Sequence, residues 1–267
     1  MTVDAAELDL LAETLRKTMA THTGSALDTA LRELGWAEML TEMPDETVPV
    51  VFRLLGETGA HAPLVNDVVL HASGLPTGTT VPLPYAGGTW VLWDRTDGAD
   101  TSAAGESLDG ELPLRRVADG NPVPLAAGRR ALGWWLAGTG RAMLSLARSH
   151  AVDRVQFGRP LASFQAVRHR LAETLVAIEG AEATLRAAED DLGCLLAKAA
   201  AGQAALTAAR HCQQVLGGIG FTAEHDLHRH VRRAYVLDGL LGSARELTRE
   251  AGALLLRQSS APRLTQL

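Results

Sequence analysis

A repeating apolar stripe in the second half of the chain most restricts the folds that the chain can adopt. Between residues 162 and 190, large apolar side chains follow one another at steps of three, four, four, three and seven positions: Phe164, Val167, Leu171, Leu175, Ile178 and Leu185. These steps place the side chains on one face of an α-helix. Such a face is buried by packing against other helices, so the stripe predicts a helical bundle.

Neighbouring segments carry further helical signals. Only 4% of the residues are aromatic while Ala and Leu are abundant, which favours helices because these two side chains lose little rotamer freedom there. Gly133, Gly138 and Gly140 would let a second helix approach closely. The pair Gly217-Gly218 is typical of a helix end. Residues 125–267 are therefore predicted to form a C-terminal bundle of four or five helices, at 125–151, 162–190, 191–216, 224–240 and 243–257.

The first part of the chain is predicted to contain two other units. Residues 1–73 read as an N-terminal helical domain, with helices at 4–20, 25–34, from Pro44 onward, and at 65–72. Residues 74–124 are rich in Gly and Pro and read as a reduced β insert or linker, with strands at 80–82, 89–93 and 112–117. The polar stretch 97–110 is expected to be a mobile loop. The predicted fold class is mostly α.

Charge and composition exclude several functions. The 25 basic and 31 acidic side chains give a net charge of −6, which argues against a nucleic-acid-binding protein. We find no run of about 18 apolar residues that would span a membrane. The start MTVDAAELDL lacks the basic and apolar regions of a signal peptide, so we expect a cytoplasmic protein. Cys194 and Cys212 are the only cysteines, which excludes a disulfide framework and suggests two small core residues.

The segment HDLHRH at 225–230 allows two interpretations. His225 and His228 would share one helical face, but a metal site needs a third converging ligand and His230 would point elsewhere. A solvated or capping turn is therefore favoured over a metal site. Three arginines of this region would either bind a phosphate or form a solvated basic face, and the second is the more frequent explanation: Arg229, Arg232 and Arg233.

Two motifs carry the strongest functional signal. The pattern R-x-x-F-G-x-x-x-x-x-F-Q covers residues 154–165, and Q-x-x-G-G-x-G-F-T covers residues 214–222. Arg154 can donate a pair of charge-assisted hydrogen bonds to a phosphate. Gly217 and Gly218 leave backbone N–H groups open to a flat or anionic ligand, although a glycine pair after a helix is by itself only a cap.

Both motifs, in this order, resemble the C-terminal domain of the acyl-CoA dehydrogenase family. The resemblance covers residues 125–257, and more weakly LRELGWAEML at 31–40 resembles the N-terminal domain of that family. It implies that these segments reach across a subunit interface and hold the ADP half of an FAD bound mainly by the neighbouring chain. Arg154 would then meet the pyrophosphate. The other implied cofactor-binding residues are Phe157, Leu161 and Phe164 near the adenosine, and Gln214, Gly217 and Gly218 along the adenine and pyrophosphate path.

The chain departs from the family at the catalytic base. The resemblance implies a Glu at one of two positions, where it would take the α-proton of the acyl thioester. These positions hold Leu241 and Gly128, the latter beside the matching Arg129. Asp238, three residues before Leu241, is a poor substitute and reads as a helix-surface charge. No catalytic residue is therefore predicted in this chain.

The resemblance points to a particular kind of subunit, because residues 74–124 are too short for the β domain that holds the flavin ring. It implies the small, non-catalytic subunit of the α2β2 acyl-CoA dehydrogenases of actinobacterial steroid catabolism, such as cholesterol degradation. The partner would supply the Glu, the flavin ring and the acyl-CoA pocket, and an electron-transfer flavoprotein would accept the electrons. Two alternatives stay open: a flavin-free scaffold or regulatory homodimer, and a complete dehydrogenase that uses Asp238. Trp134 and Trp135 suggest either obligate association or a buried core.

Overall fold

The structure is a computed structural model that describes residues 5–95 and 109–259. Most of the predicted loop at 97–110 lies outside these residues. The mostly α fold class is confirmed, since the described residues form ten α-helices and five short strands. The helices are α1 Ala5–Thr21, α2 Gly24–Glu33, α3 Trp36–Glu42, α4 Pro44–Thr58, α5 Leu64–Ala72, α6 Ala126–Asp153, α7 Gln165–Arg186, α8 Asp191–Leu216, α9 Leu227–Gly239 and α10 Ala244–Gln258. The strands are β1 Leu83–Tyr85, β2 Thr89–Trp93, β3 Leu114–Val117, β4 Val155–Gln156 and β5 Arg159–Pro160.

Helix α8 is the centre of the C-terminal bundle and packs against α6, α7, α9 and α10. Its many buried alanines allow these close contacts. By length and composition, Asp191–Phe221 is apolar enough to cross a membrane, but 61% of its most apolar window is buried inside the protein. This burial, with Lys198 fully enclosed, is that of a core helix.

The apolar stripe of α7 follows the prediction in part. Ile178 and Leu185 are buried, whereas Leu175 is 42% exposed. The helix is shorter than the predicted 162–190 at both ends. A 3₁₀ turn precedes it, and after it Asp190 caps α8 by accepting a hydrogen bond from the backbone N–H of Gly193.

Small residues let α4 cross α6 at very short range. A Cβ atom on Gly56 would collide with the backbone of α6, and one on Gly138 would collide with the backbone of α4. Trp135 lies beside this crossing and stacks on Trp93 with 5.6 Å between ring centroids. Trp134 and Trp135 are both buried, so the core interpretation of these two residues is confirmed.

The middle segment forms an antiparallel sheet in the order β1-β2-β3, with Leu83 opposite Val91 and Trp93 opposite Leu114. The first strand lies three residues later than predicted. The sheet also joins the C-terminal bundle, because Tyr85 forms a bridge with Leu240. One hydrophobic core continues through the three predicted domains, and their division at 73/74 and 124/125 stays a prediction.

Candidate functional site

The fold brings the two sequence motifs together. Helix α6 ends next to the hairpin of β4 and β5, and α8 ends next to a 3₁₀ turn at Gly217–Phe221. Between these two helix ends lies a groove of about 390 Å³. The groove is lined by His150, Arg154, Gln156, Leu161, Val215, Leu216, Gly217, Gly218 and Ile219.

The hairpin has a tight two-residue turn. Phe157 and Gly158 both adopt left-handed backbone conformations, with φ of 55° and 77°, as hairpins of this length require. The Phe157 side chain is 90% exposed and meets the ring of Phe164 edge-on, with 6.1 Å between centroids. The guanidinium of Arg159 lies 4.2 Å from the centre of the Phe164 ring. The two phenylalanines thus form a cluster outside the lining of the groove.

Arg154 presents an unpaired cation to the groove. Its side chain is exposed, and within residues 5–95 and 109–259 its guanidinium makes no ion pair. Its backbone is held at both ends, because its N–H donates to the carbonyl of His150 and its carbonyl accepts from the N–H of Leu161. A fixed backbone with a free guanidinium suits the binding of an anionic ligand.

The glycine pair leaves space at the opposite side of the groove. A Cβ atom on Gly217 or Gly218 would meet nothing within 4 Å, so packing within the chain does not require glycine there. Gly217 does need its freedom of conformation, since its φ is +63° and its ψ is −140°. Gln214 is exposed on the last turn of α8 and does not line the groove.

A second pocket, which the sequence analysis missed, adjoins the groove. It has a volume of about 440 Å³ and is lined by Leu146, Ser149, His150, Asp153, Arg154 and His225. It shares His150 and Arg154 with the groove. The available signal was the spacing of His150 and Arg154, which lie four residues apart at the end of one helix.

The His-rich segment has three separate local roles. The Nδ1 atom of His225 accepts a hydrogen bond of 3.1 Å from the N–H of Leu227 at the start of α9. His228 bonds to the carbonyl of His225, and His230 lies beside Gly59. In the described parts of the chain, no three His, Cys, Asp or Glu side chains converge as metal ligands would.

The neighbouring arginines have carboxylate partners. Arg233 is only 3% exposed and forms ion pairs with Asp109 and Glu111, and Arg229 also pairs with Glu111. The interpretation as a solvated face is therefore wrong for Arg233, while Arg232 is exposed as that interpretation predicts. Both cysteines are buried as expected, and burial raises the pKa of the Cys212 thiol to about 12.

The two positions at which the resemblance implies a catalytic Glu face each other in a closed interior. Leu241 is 1% exposed, and a Cβ atom on Gly128 would lie 2.8 Å from Leu241 Cδ1 and 2.8 Å from Val69 Cγ2. The side chains of Leu241 and Val69 therefore occupy the space that a larger residue at position 128 would need.

The turn at 239–243 that carries Leu241 is held from three sides. The N–H of Leu241 donates to the carbonyl of Pro84, and Arg129 Nε donates to the carbonyl of Leu241 over 3.2 Å. Lys198 Nζ donates to the carbonyls of Asp238 and Gly242. Burial lowers the pKa of Lys198 to about 7. These bonds hold Leu241 in a left-handed conformation with φ of 58°.

Asp238 does not share the surroundings of Leu241. Its side chain is 8% exposed, lies against Gly202 of α8 and accepts a hydrogen bond of 3.0 Å from the N–H of Ala244. Leu241 instead packs against α6 and α5. The prediction that Asp238 is a helix-surface charge is wrong, because this carboxylate is buried and binds the first residue of α10.

Comparison with known proteins defines the class. Residues 123–251 match the family profile described as "Acyl-CoA dehydrogenase, C-terminal domain", which assigns this part of the chain to the acyl-CoA dehydrogenase family. Among curated proteins, it is 37% identical over 201 residues to the acyl-CoA dehydrogenase FadE34 of Mycobacterium tuberculosis. This match covers 68% of the chain but only 28% of the length of FadE34.

Solved structures show the same fold over nearly the whole chain. One chain of the "Tcur3481-Tcur3483 steroid ACAD G363A variant" is 20% identical with a TM-score of 0.73, and the match covers 96% of this chain and 98% of that chain. One chain of the ChsE4-ChsE5 complex from Mycobacterium tuberculosis is 21% identical with a TM-score of 0.67, with coverage of 98% and 99%. The predicted acyl-CoA dehydrogenase fold is thereby confirmed.

Acyl-CoA dehydrogenases generally use FAD, and the groove has the chemistry to hold the ADP part of that cofactor. Arg154 is an unpaired cation, the space above Gly217 and Gly218 is open to a diphosphate, and Phe157 offers an exposed aromatic ring. The residues present thus fit a nucleotide diphosphate.

Proposed function

We propose that this chain is the non-catalytic subunit of a heteromeric FAD-dependent acyl-CoA dehydrogenase, and that it completes the FAD site of a catalytic partner in an α2β2 assembly. One observation carries the proposal: the groove around Arg154 is open while the interior around Leu241 and Gly128 is filled. The chain therefore combines a surface for a nucleotide with a closed catalytic position.

Seven residues of the two sequence motifs have roles in this proposal. Arg154 would bind the pyrophosphate of FAD, and Gly217 and Gly218 would line its path together with Gln214. Phe157, Leu161 and Phe164 would pack near the adenosine. When bound, the FAD supplies the flavin that accepts the β-hydride of the acyl-CoA.

The partner would supply the base. Removal of the α-proton needs a group that accepts a proton, and neither Leu241 nor Gly128 can do so. Asp238 binds the N–H of Ala244 and faces away from this interior, which argues against a complete dehydrogenase built on Asp238. The reaction of the complex would be the α,β-desaturation of an acyl-CoA that the partner holds.

The exposed apolar residues around the groove favour a partner at this face. Val155, Phe157, Ile219 and Phe221 are all exposed on the hairpin and on the turn after α8. Their coverage by another subunit would remove apolar surface from water. A flavin-free scaffold would have no need for the unpaired Arg154 or for a glycine at position 218.

Two solved neighbours support the proposed substrate and assembly. Because Tcur3481-Tcur3483 is described as a steroid ACAD and ChsE4-ChsE5 is a complex of two proteins, we propose a bulky steroid-derived acyl group and a heteromeric assembly. An electron-transfer flavoprotein would reoxidise the flavin, and the complex would be cytoplasmic.

Co-expression tests the proposal. The chain is expressed with a candidate catalytic acyl-CoA dehydrogenase from the same genome, purified by a tag on this chain alone, and examined by visible absorption. We expect a stable complex with about one FAD per pair of unlike chains, and a colourless protein without the partner. A yellow preparation of this chain alone that oxidises acyl-CoA would overturn the proposal, and a colourless complex would favour the scaffold.

A further inference from the structure

We propose that His150 and His225 form, together with Arg154, a phosphate subsite beside the groove, and that His150 takes up a proton when the phosphate binds. The subsite is the second pocket, lined by Leu146, Ser149, His150, Asp153, Arg154 and His225. It deepens the proposed function, on which it rests for the identity of the nucleotide as FAD.

The second pocket brings the two imidazoles and the guanidinium of Arg154 into one lining. His150 and Arg154 line both the groove and the second pocket, so a diphosphate above Arg154 also lies beside His150. His225 approaches from a different element, the segment between the end of α8 and the start of α9. A ligand in this position would therefore touch both helix ends.

The hydrogen bond of His225 determines its tautomer. Because Nδ1 accepts from the N–H of Leu227, the proton of the neutral ring is on Nε2. Nε2–H is then the polar group that remains for a ligand.

His150 is the imidazole that is free to change its charge. Within the described residues its ring makes no hydrogen bond. Burial lowers the pKa of His150, and His225 and Arg154 lower it further while Asp153 opposes them, so the surroundings of the ring disfavour its cationic form before a ligand arrives.

The charges around the pocket explain why phosphate binding would be coupled to protonation of His150. In the lining of the pocket, the positive charge of Arg154 is balanced by the negative charge of Asp153. A phosphate next to His150 favours its cationic form, and protonation gives the pocket a net positive charge. Binding of the phosphate and uptake of the proton are thus coupled.

Titration of the full chain with ADP-ribose tests this proposal. This probe has the pyrophosphate diester of FAD, which does not change its charge between pH 6 and pH 8, and it has no flavin. Calorimetry at both pH values should show binding about tenfold tighter at pH 6, which corresponds to about 1.4 kcal/mol. Adenosine, which has no phosphate, should show no such dependence on pH.

Two variants separate the roles of the histidines. His150→Gln keeps a donor but cannot take up the proton, so the dependence on pH should disappear. His225→Asn can still cap Leu227 through its side-chain oxygen but loses the Nε2 donor, so binding should weaken about tenfold at both pH values and keep its dependence on pH. His22→Asn, at an exposed histidine that lines neither pocket, is the control and should change nothing.

The outcomes also distinguish this subsite from the proposed function. A dependence on pH that survives His150→Gln, unchanged affinity in His225→Asn, or no binding of ADP-ribose would overturn the subsite. A flavin-containing complex that keeps its full FAD content in both variants would do the same while leaving the proposed function intact. Failure of any flavin complex to form, with ADP-ribose binding as described, would overturn the proposed function alone.

Discussion

The closed turn at 239–243 and the open groove around Arg154 are both built at helix ends of the same bundle, yet their glycines have opposite surroundings. A side chain at Gly128 would collide with Leu241 and Val69, whereas one at Gly218 would meet nothing within 4 Å. Leu241 is buried and hydrogen-bonded to Pro84 and Arg129, while Arg154 is exposed and unpaired among the described residues. The comparison shows that side chains of the chain itself fill the interior around Leu241, whereas the groove around Arg154 has polar groups and open space for a ligand.

The largest effect expected of a single substitution comes from placing the missing carboxylate in the closed interior. We expect Gly128→Glu to destabilise the protein by about 4 kcal/mol, since a buried and unpaired charge adds to the steric conflict with Leu241. Urea unfolding of the purified chain measures this change. Gly218→Glu is the matched control and should unfold like the wild type. Equal stability of both variants would show that the interior is not closed.

Acid should lower the stability of the folded protein through two buried histidines. Burial is the main cause that lowers the pKa of His61 and of His230 to about 4, and Arg233 lowers both further. In the unfolded chain these rings take up protons below their ordinary pKa of 6.5, whereas the folded protein keeps them neutral. Stability is therefore present above pH 6.5 and falls as the pH decreases towards 4, by about 3 kcal/mol for each histidine.

Unfolding experiments at several pH values check this prediction. His230→Gln should remove about half of the acid-sensitive part, because one of the two titrating rings is lost. A wild-type curve that stays flat between pH 6.5 and 4 would contradict the assigned burial of these rings.

On the open side, Arg154→Ala should lower flavin retention without changing stability. A charge-assisted hydrogen bond is worth roughly 1.5–3 kcal/mol, so the FAD affinity of the co-purified complex should fall about ten- to a hundredfold. Absorption of the released flavin during dialysis measures the loss. Arg148→Ala, an exposed arginine on the same helix that lines neither pocket, is the control. Undiminished retention in Arg154→Ala would refute the role of this residue.

The smallest expected effect on stability is that of Gly218→Ala, which adds a single methyl group to the open groove. Gly218→Ala should change the free energy of unfolding by less than about 0.5 kcal/mol, because its Cβ meets no atom of the chain. The same methyl group should weaken flavin retention if the diphosphate passes close to this backbone. Thermal unfolding and flavin content, measured on the same preparation, separate the two effects. Loss of stability together with unchanged flavin content would reverse our assignment of the open side.

Much of the fold could be predicted because its signals are local. The predicted helices at 125–151, 191–216 and 243–257 lie within one or two residues of the observed α6, α8 and α10. Helix α3 was missed, since its seven residues are too few for a periodic pattern to stand out. The first strand was placed too early, because its position depends on pairing with β2 and with Leu240.

The candidate site was predictable only in part. Four of the predicted residues line the groove together: Arg154, Leu161, Gly217 and Gly218. Phe157 and Phe164 form a separate cluster, and Gln214 is exposed outside the lining of the groove. The second pocket was missed because His150 and His225 are far apart in the chain and belong to no common motif. Their proximity depends on how the end of α6 meets the segment after α8.

The sequence by itself determined the helical bundle, the order of the two motifs and the absence of a carboxylate at positions 128 and 241, because periodicity and residue identity are properties of the chain alone. Only the tertiary structure decided that Leu241 fills the space next to Gly128, that Arg233 is buried against Asp109, and that Arg154 stays unpaired among the described residues. The physical reason is that burial and ion pairing depend on which surfaces meet across elements. Helix packing determines those contacts through the shape of whole faces.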